Sequence, residues 1–473
     1  MEGRTLLLLT ARIFRNFFVR MAAFGLLATA FATAQGSGYW HTRGSRIEDD
    51  HGRAVRIAGI NWFGFETSEM VVHGLQNQNY RHILHLIKTS GFNTIRLPYS
   101  SQMVEHPIVP RLEKGEGKAN GELAGLNAQE IMDRILAAAG DEGLKVILDN
   151  HRSEAGNSNE RTGLWYSAAY PEANWIADWQ HLVERYRGYA DAYGNPTLIG
   201  VDLRNEPYRM VKGEPTGSCW TGDQSAGGCP ITDVAHNWPA AAQRAATAIL
   251  NSNPKLLIFV EGVDCYSGKC NWQGGNLMGV RQFPVELPYS GHLVYSAHDY
   301  GPSVSPQPWF TPATTPASLQ QHWVEQWAYL EQQGIAPVWL GEFGTGNQDA
   351  DLESTQAGSQ GQWFSAMIGF LHAQTGINWC YWALNGEDAT GLLSHDYEAA
   401  QNSQKLEQLT GIEFTLALEA APPASTAEAA AEKTPPPAGK KKMLPLLIGG
   451  MTLAMLAIVL LQLWQQKKPD QQS

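Results

Sequence analysis

Three observations in the sequence predict an α/β fold class, a (β/α)8 TIM barrel. Eight short apolar runs recur between the chain ends, and they are continuous rather than alternating, as strands buried on both faces require. The intervals between these runs leave room for a helix and a loop, and several show helical period. Polar residues follow the runs at their C-terminal ends, where barrels of this class carry their active sites.

The predicted elements alternate regularly along the chain. The strands are expected at 54–60, 93–99, 145–151, 198–207, 256–263, 292–300, 337–343 and 377–384. Helical period is clearest at 128–139, 175–189 and 238–250. Gly91, Gly143 and Gly334 each follow a predicted helix and precede the next strand, as C-terminal caps do. A doubly wound open sheet is the competing fold, but no Gly-x-Gly-x-x-Gly turn follows any of these strands.

Composition limits the classes of function. The chain has 473 residues, 43% of them hydrophobic, which excludes wholesale disorder and fibrous classes. The formal net charge is -12, and both chain ends are basic, so the body between them is strongly acidic. We therefore expect no nucleic-acid partner. The 16 tryptophans are consistent either with sugar stacking in a cleft or with a Trp-rich core.

Residues 1–34 are typical of a secretory signal peptide. A basic stretch ends at Arg20, a short apolar core follows, and Ala32-Thr33-Ala34 matches an A-x-A cleavage site. Cleavage there would begin the mature chain at Gln35. An uncleaved anchor is the alternative.

The C-terminal region has a different character. Residues 418–442 form a linker rich in Pro and Ala that cannot build a core. Residues 443–464 are uncharged and long enough to cross the ~30 Å hydrocarbon layer, with Trp464 and Lys467-Lys468 at the positions of interfacial anchors. A buried core helix is the alternative, and the positive-inside rule does not select an orientation, because lysines flank both sides.

These features predict the domain organisation. The barrel spans 35–417, a single transmembrane helix spans 443–464, and residues 465–473 form a short cytoplasmic tail. We expect an exported monomer that contacts membrane lipid through its C-terminal helix and holds the barrel on the extracytoplasmic side.

The five cysteines suit an exported chain. Cys219 and Cys229 bracket one Gly-rich loop and Cys265 and Cys270 bracket another, which predicts two local disulfides. Cys380 lies in an apolar run and is expected to be a buried, inert thiol. Neither the cysteines nor the histidines have zinc-ligand spacing, so no metal site is expected from them. The sequence leaves calcium binding as an open alternative.

Two predicted strands end in glutamate. The fourth run ends Leu-Arg-Asn-Glu206-Pro, and the seventh ends Leu-Gly-Glu342-Phe-Gly. Strands four and seven face each other across a barrel mouth, so the two carboxylates can flank one substrate bond. Glycoside hydrolysis needs such a pair, ~5–5.5 Å apart for retention and ~6.5–9.5 Å apart for inversion.

Other strand ends supply groups that this chemistry needs. Asn205 can bond a sugar 2-OH, Arg96 can neutralise Glu342, and Tyr300 can orient the same carboxylate. Trp382 offers a platform for the sugar ring. Glu261 is either a third carboxylate in the cleft or a structural partner for an arginine or a backbone amide, and the second interpretation is favoured.

The motifs L-R-N-E-P, W-L-G-E-F-G, R-L-P-Y, D-N-H-R, A-H-D-Y and I-A-G-I-N-W-F-G-F-E-T carry a family resemblance. Over roughly residues 38–416 the chain resembles glycoside hydrolase family 5, in particular its bacterial endo-β-1,4-glucanases (cellulases). The resemblance implies a retaining double displacement on β-1,4-glucan without a cofactor, with Glu206 as acid/base and Glu342 as nucleophile. It also implies that the following residues line the cleaved-bond subsite: Arg96, His151, Asn205, His298, Tyr300 and Trp382. Trp62 would stack on the glycone side.

Two departures and two alternatives accompany the resemblance. The family often has H-R-P where residues 151–153 read H-R-S, and D-T-G-G where residues 388–392 read D-A-T-G-L. These departures lie in loops and not at the two glutamates, so they bear on which substrate is bound and not on the reaction.

A β-mannanase would use the same two glutamates. A non-catalytic, membrane-tethered carbohydrate-binding protein is the alternative from another class, and the presence of both glutamates argues against it.

Overall fold

This computed structural model describes residues 36–112, 119–158, 160–225 and 227–413. The predicted signal peptide, linker, transmembrane helix and tail (1–34, 418–442, 443–464 and 465–473) lie outside the described residues and stay predictions. Among the helices of the described ranges, none has the length and apolar character needed to cross a membrane.

The strands of the described chain are β1 (His41–Arg43), β2 (Arg46–Glu48), β3 (Ala54–Val55), β4 (Ala58–Asn61), β5 (Thr94–Ser100), β6 (Lys145–Arg152), β7 (Leu198–Asp202), β8 (Leu257–Glu261), β9 (Cys265–Tyr266), β10 (Lys269–Cys270), β11 (Leu293–His298), β12 (Val338–Phe343) and β13 (Asn378–Tyr381). Eight of these strands are parallel and close into a barrel in the order β11-β12-β13-β4-β5-β6-β7-β8. This closure confirms the predicted barrel and excludes the open doubly wound sheet.

Helices follow most barrel strands and cover the outside of the barrel. They are α1 (Tyr80–Thr89), α2 (Ser101–Glu105), α3 (Ala128–Asp141), α4 (Glu172–Arg185), α5 (Trp238–Ser252), α6 (Pro316–Trp323), α7 (Tyr329–Gln332), α8 (Asp349–Glu353), α9 (Gln360–Ala373) and α10 (Ser403–Glu413). A π-helical segment, Val324–Ala328, joins α6 to α7, and short 3-10 turns lie at Gly121–Leu123 and Met278–Arg281. Gly91, Gly143 and Gly334 have φ of 101°, 68° and 69°, which confirms their predicted capping role.

The barrel has two apolar cores, because every barrel strand is covered on both faces. Side chains between strands and helices form the larger core. A smaller core fills the barrel interior and includes Phe259, Trp339 and the free thiol of Cys380, all fully buried. Trp40 and Val55 join this inner core from the N-terminal segment.

The N-terminal segment corrects the predicted first strand. Residues 54–60 do not form one strand, because Ala54 and Val55 pair antiparallel with β2 and the barrel strand begins only at Ala58. The amide of Thr42 bonds to the carbonyl of Gly291, just before β11. The small sheet β1–β2–β3 therefore closes the end of the barrel where the strands begin and leaves the opposite end free for the site.

Both predicted disulfides are confirmed. Cys219 pairs with Cys229 and Cys265 pairs with Cys270. The first closes a loop after β7, and the second joins β9 to β10 directly after β8. The two bonds thus fix the loops that follow the strands carrying Glu206 and Glu261.

Candidate active site

Polar side chains from six strand ends converge at the carboxyl end of the barrel. They come from β5, β6, β7, β8, β11 and β12, and the loop after β13 adds an aromatic ring. The structure brings together these residues predicted from the sequence: Arg96, His151, Asn205, Glu206, His298, Tyr300, Glu342 and Trp382.

Arg96 is the centre of the site and has no exposed surface. Its Nε donates to Asp202, its Nη1 donates to Glu342 at 2.6 Å, and its Nη2 lies 3.1 Å from Asp149. Nη2 also donates to Asn205 Oδ1 at 2.9 Å. Burial lowers the pKa of Arg96, but the surrounding carboxylates outweigh it and raise that pKa above its ordinary value. The guanidinium is therefore a permanent cation that a ring of acids surrounds.

Glu342 is held by two donors at separate oxygens. Arg96 donates to Oε1, and the Tyr300 hydroxyl donates to Oε2 at 2.7 Å. Glu342 is 4% exposed, so these contacts replace water around most of the carboxylate. The predicted relation of Arg96 and Tyr300 to this carboxylate is present in the structure.

Glu206 has a different environment from Glu342. Its Oε1 lies 3.0 Å from Nδ1 of His298, and its backbone N–H donates to Oε2 of Glu261 at 2.7 Å. Burial raises the pKa of Glu206, and the charge of Glu342 adds to this effect although the bond from His298 opposes it. One carboxylate oxygen of each glutamate and a ring nitrogen of His298 all lie within 4.8 Å of one another.

His298 joins the acidic groups on both sides of the cleft floor. Its Nε2 lies 3.2 Å from Glu261 Oε1, and its Nδ1 lies 3.6 Å from Glu342 Oε2 in addition to its bond with Glu206. Burial lowers the pKa of His298, but the charges of Glu261 and Glu342 raise it well above its ordinary value. Carboxylates therefore lie beside both nitrogens of the imidazole, and their charges favour its protonated form.

Trp382 forms the wall of the cleft after β13. Its half-buried ring is stacked with Phe63 at 5.3 Å between centroids and with His151 at 5.5 Å. His151 is itself fixed by a 2.7 Å contact between Nδ1 and Asp149. Burial lowers the pKa of His151, and the charge of Asp149 raises it above its usual value. The Trp382 ring is thus held in one orientation by its neighbours.

Trp62 does not fit its predicted role. The ring is fully buried, and its Nε1 donates to the carbonyl of His73 at 3.0 Å. A ring without exposed surface cannot stack on a sugar, so the predicted glycone-side contact is corrected. The neighbouring Phe63 is the partly exposed aromatic at this strand end.

The structure adds two acids and one aromatic to the predicted site. Asp149 and Asp202 surround Arg96 together with the sequence candidate Glu261, and Trp272 packs edge-to-face on Tyr300 at 5.8 Å. Carboxylates at the ends of apolar strands are the sequence signal for the acids. Glu261 binds both an arginine and a backbone amide, as the favoured interpretation of the sequence expected.

Two groups in the site have the composition of a metal centre, namely Asp202, Glu261 and His298, and Glu206, His298 and Glu342. Within the chain these groups already have cationic partners. Arg96 binds one oxygen each of Asp202, Glu261 and Glu342, and His298 lies beside carboxylates on both sides. The arrangement is therefore suited to proton transfer and nucleophilic attack by carboxylates.

The family model described as cellulase (glycosyl hydrolase family 5) matches residues 49–388. The chain belongs to glycosyl hydrolase family 5. It is a glycoside hydrolase with a cellulase domain, and the matched range contains every strand of the barrel and both glutamates.

Proteins named as endoglucanases or endocellulases resemble this chain over most of its length. An endoglucanase of Paenibacillus polymyxa is 39% identical over 379 residues, which cover 79% of this chain and 87% of the relative. The major extracellular endoglucanase of Xanthomonas campestris pv. campestris is 30% identical, over 81% of this chain and 74% of its own length. The structure of a Pyrococcus horikoshii endocellulase with cellotetraose superimposes with a TM-score of 0.68 at 31% identity, covering 80% of this chain and 99% of that one.

Proposed function

We propose that this family 5 enzyme is a retaining endo-β-1,4-glucanase, with Glu206 as acid/base and Glu342 as nucleophile. The observation that carries the proposal is the close approach of these two carboxylates, each with an oxygen within 4.8 Å of the other. This close approach agrees better with the ~5–5.5 Å carboxyl separation of retaining enzymes than with the ~6.5–9.5 Å separation of inverting ones. It supports direct attack by one glutamate on the anomeric carbon.

The two steps use the different environments of the glutamates. In the first step Glu342 Oε2 or Oε1 attacks the anomeric carbon while Glu206 gives its proton to the leaving glycosidic oxygen. The raised pKa of Glu206 keeps that proton available. Once Glu342 is an ester its charge is lost, so the pKa of Glu206 falls and Glu206 can take a proton from the water that releases the product.

The relatives support a β-1,4-glucan substrate, and two side chains support the binding of a sugar ring at this site. The relatives are named endoglucanases, and the Pyrococcus horikoshii structure holds cellotetraose. The half-buried Trp382 supplies an aromatic side chain of the kind that packs on pyranose rings. The amide of Asn205 is oriented by Arg96 through its oxygen, so its nitrogen is available to a sugar hydroxyl beside the cleaved bond.

We further propose that the enzyme is exported and held at a membrane by residues 443–464, with the barrel on the extracytoplasmic side. The support for this proposal is the sequence pattern of residues 1–34 and 418–468.

Parallel assays of the purified chain on carboxymethylcellulose, lichenan and galactomannan test the substrate. We expect reducing sugar from the glucans at a higher rate than from galactomannan, and the first hemiacetal formed should be the β anomer by proton NMR. Faster release from galactomannan would replace the substrate with mannan. Binding to glucan without any release would instead indicate a non-catalytic carbohydrate-binding protein.

A further inference from the structure

Glu261 contacts both halves of the catalytic arrangement from below the cleft. It ends β8, has no exposed surface, and its Oε1 lies 3.2 Å from Arg96 Nη2 and 3.2 Å from His298 Nε2. Its Oε2 accepts the backbone N–H of Glu206 at 2.7 Å. One buried carboxylate therefore accepts a hydrogen bond from Arg96, which binds the proposed nucleophile, and another from the backbone of Glu206. It also lies in ion-pair contact with His298, which binds the proposed acid/base.

The backbone of Glu206 needs this support. Its φ is +46°, in the left-handed region that a residue with a side chain rarely adopts and only at a cost in strain. The bond to Glu261 Oε2 holds the amide of this strained residue in place. The backbone carbonyl of Glu261 is fixed in turn, because Trp238 Nε1 donates to it at 2.8 Å.

We propose that Glu261 is a positioning residue for Glu206, which holds its amide in the left-handed turn and aims its carboxyl at the glycosidic oxygen through His298. This inference rests on the acid/base role proposed for Glu206. Loss of the Glu261 contacts should therefore weaken proton transfer to the leaving group more than it weakens nucleophilic attack.

Asp202 provides a matched control. Its Oδ2 accepts from Arg96 Nε at 3.0 Å, and it is as fully buried as Glu261. Within the described residues, no bond joins its carboxylate to His298 or to the amide of Glu206. Asp202→Asn thus removes a carboxyl from the same guanidinium and leaves the side chains that contact Glu206 unchanged, although a carboxylate oxygen of Asp202 lies within 4.8 Å of Glu261 and His298.

Gly274 offers a second way to disturb the same oxygen while the charge of Glu261 is kept. A Cβ at this position would lie 2.2 Å from Glu261 Oε2. Gly274→Ala should therefore push Oε2 away from the Glu206 amide. It keeps the charge of Glu261, whereas Glu261→Gln removes it. The added Cβ would also lie 3.4 Å from Glu206 Cα, and Gly274 has a φ of +71°, so this variant acts on the Glu206 turn directly as well as through Glu261.

The test is the dependence of kcat/KM on leaving-group acidity for a series of aryl β-cellobiosides. Good leaving groups need no proton in the first step, whereas poor ones do. We expect Glu261→Gln and Gly274→Ala to lose about 10- to 100-fold more activity on the poorest leaving group than on the best. Asp202→Asn should lose activity equally on all of them, and Glu206→Ala should show the steepest dependence.

The slope of log kcat/KM against leaving-group pKa compares substrates on one preparation of each variant. It therefore does not depend on the fraction of that preparation that is folded. If Glu261→Gln does not fold, Gly274→Ala carries the test. The proposal is contradicted if either folded variant, Glu261→Gln or Gly274→Ala, shows the same dependence on leaving-group acidity as the wild type. It is also contradicted if the dependence for Asp202→Asn is as steep as theirs. A flat line for Glu206→Ala would instead overturn the acid/base role of Glu206 itself.

Discussion

Arg96 Nη1 lies 2.6 Å from Glu342 Oε1 in a contact that solvent does not reach. The same guanidinium binds Asp149, Asp202 and Glu261, so one cation contacts four buried carboxyl groups. Removing one partner of a buried ion pair leaves an uncompensated charge, at a cost of about 3–5 kcal/mol. Arg96 therefore stabilises the barrel mouth as well as the proposed nucleophile.

Arg96→Lys should fold and lose most activity. The ammonium group keeps the positive charge, but it lacks the planar set of N–H donors with which the guanidinium contacts four acids at once. We expect kcat to fall by about 100-fold or more. Tyr300→Phe removes a single bond to the same carboxylate and leaves its cation in place, so its loss should be about 10-fold smaller. Steady-state kinetics on a soluble glucan measure both, and equal losses would contradict the central role of Arg96.

Trp382 and Trp62 should behave differently on truncation. Trp382→Ala removes the aromatic wall of the cleft, so kcat/KM on a soluble glucan should fall by about 10-fold or more while the melting temperature changes little. Trp62→Ala leaves a cavity in the core and should cost about 3–5 kcal/mol of stability. Thermal melts beside the kinetics separate the two effects. If a stable Trp62→Phe variant lost more substrate affinity than Trp382→Ala, this result would contradict the correction and support the predicted sugar contact of Trp62.

Asp178 on α4 makes stability depend on pH. Burial raises its pKa from 3.8 to about 7, and the charge of Glu105 adds to this effect. The folded state keeps a proton that the unfolded state loses, so the contribution is complete below pH 3.8 and disappears as pH rises through 7. The free energy of unfolding should fall by up to about 1.4 kcal/mol per pH unit across this window.

Asp178→Asn should flatten that pH dependence in urea melts between pH 4 and 8. Asp141→Asn is the control, because that side chain is 70% exposed on α3 and should leave the slope unchanged. Identical slopes for Asp178→Asn and the wild type would show that Asp178 is ionised in the folded state.

Truncation after Ala420 tests the proposed membrane anchor. The full chain should need detergent to leave the membrane fraction, whereas the truncated enzyme should be soluble with unchanged turnover on a soluble glucan. Membrane fractionation followed by activity assays measures both. A full chain that is soluble without detergent, or a truncation that unfolds the barrel, would contradict this proposal.

The sequence predicted the barrel and both glutamates because buried parallel strands are continuous apolar runs, and polar residues at their ends stand out. The burial of Trp62 could not be predicted in the same way. Trp62 and Phe63 are adjacent aromatics after β4, and one ring enters the core while the other enters the cleft. The order of the two residues does not reveal which ring takes which side.

Other features carry no local signal. The peptide bond between Trp382 and Ala383 is cis, although neither residue is a proline. The four acids around Arg96 come from β6, β7, β8 and β12, so their meeting depends on barrel closure. The antiparallel pairing of Val55 likewise depends on β2 rather than on its own apolar run.

The most direct test of the account is the anomeric configuration of the glycosyl azide formed by two variants on an activated aryl β-cellobioside. In Glu342→Ala, azide should replace the nucleophile and attack the face opposite the leaving group, giving the α-azide. In Glu206→Ala the glycosyl-enzyme still forms, and azide should open it to the β-azide. Formation of the same anomer by both variants, or no azide product from Glu342→Ala, would contradict the roles assigned to the two glutamates.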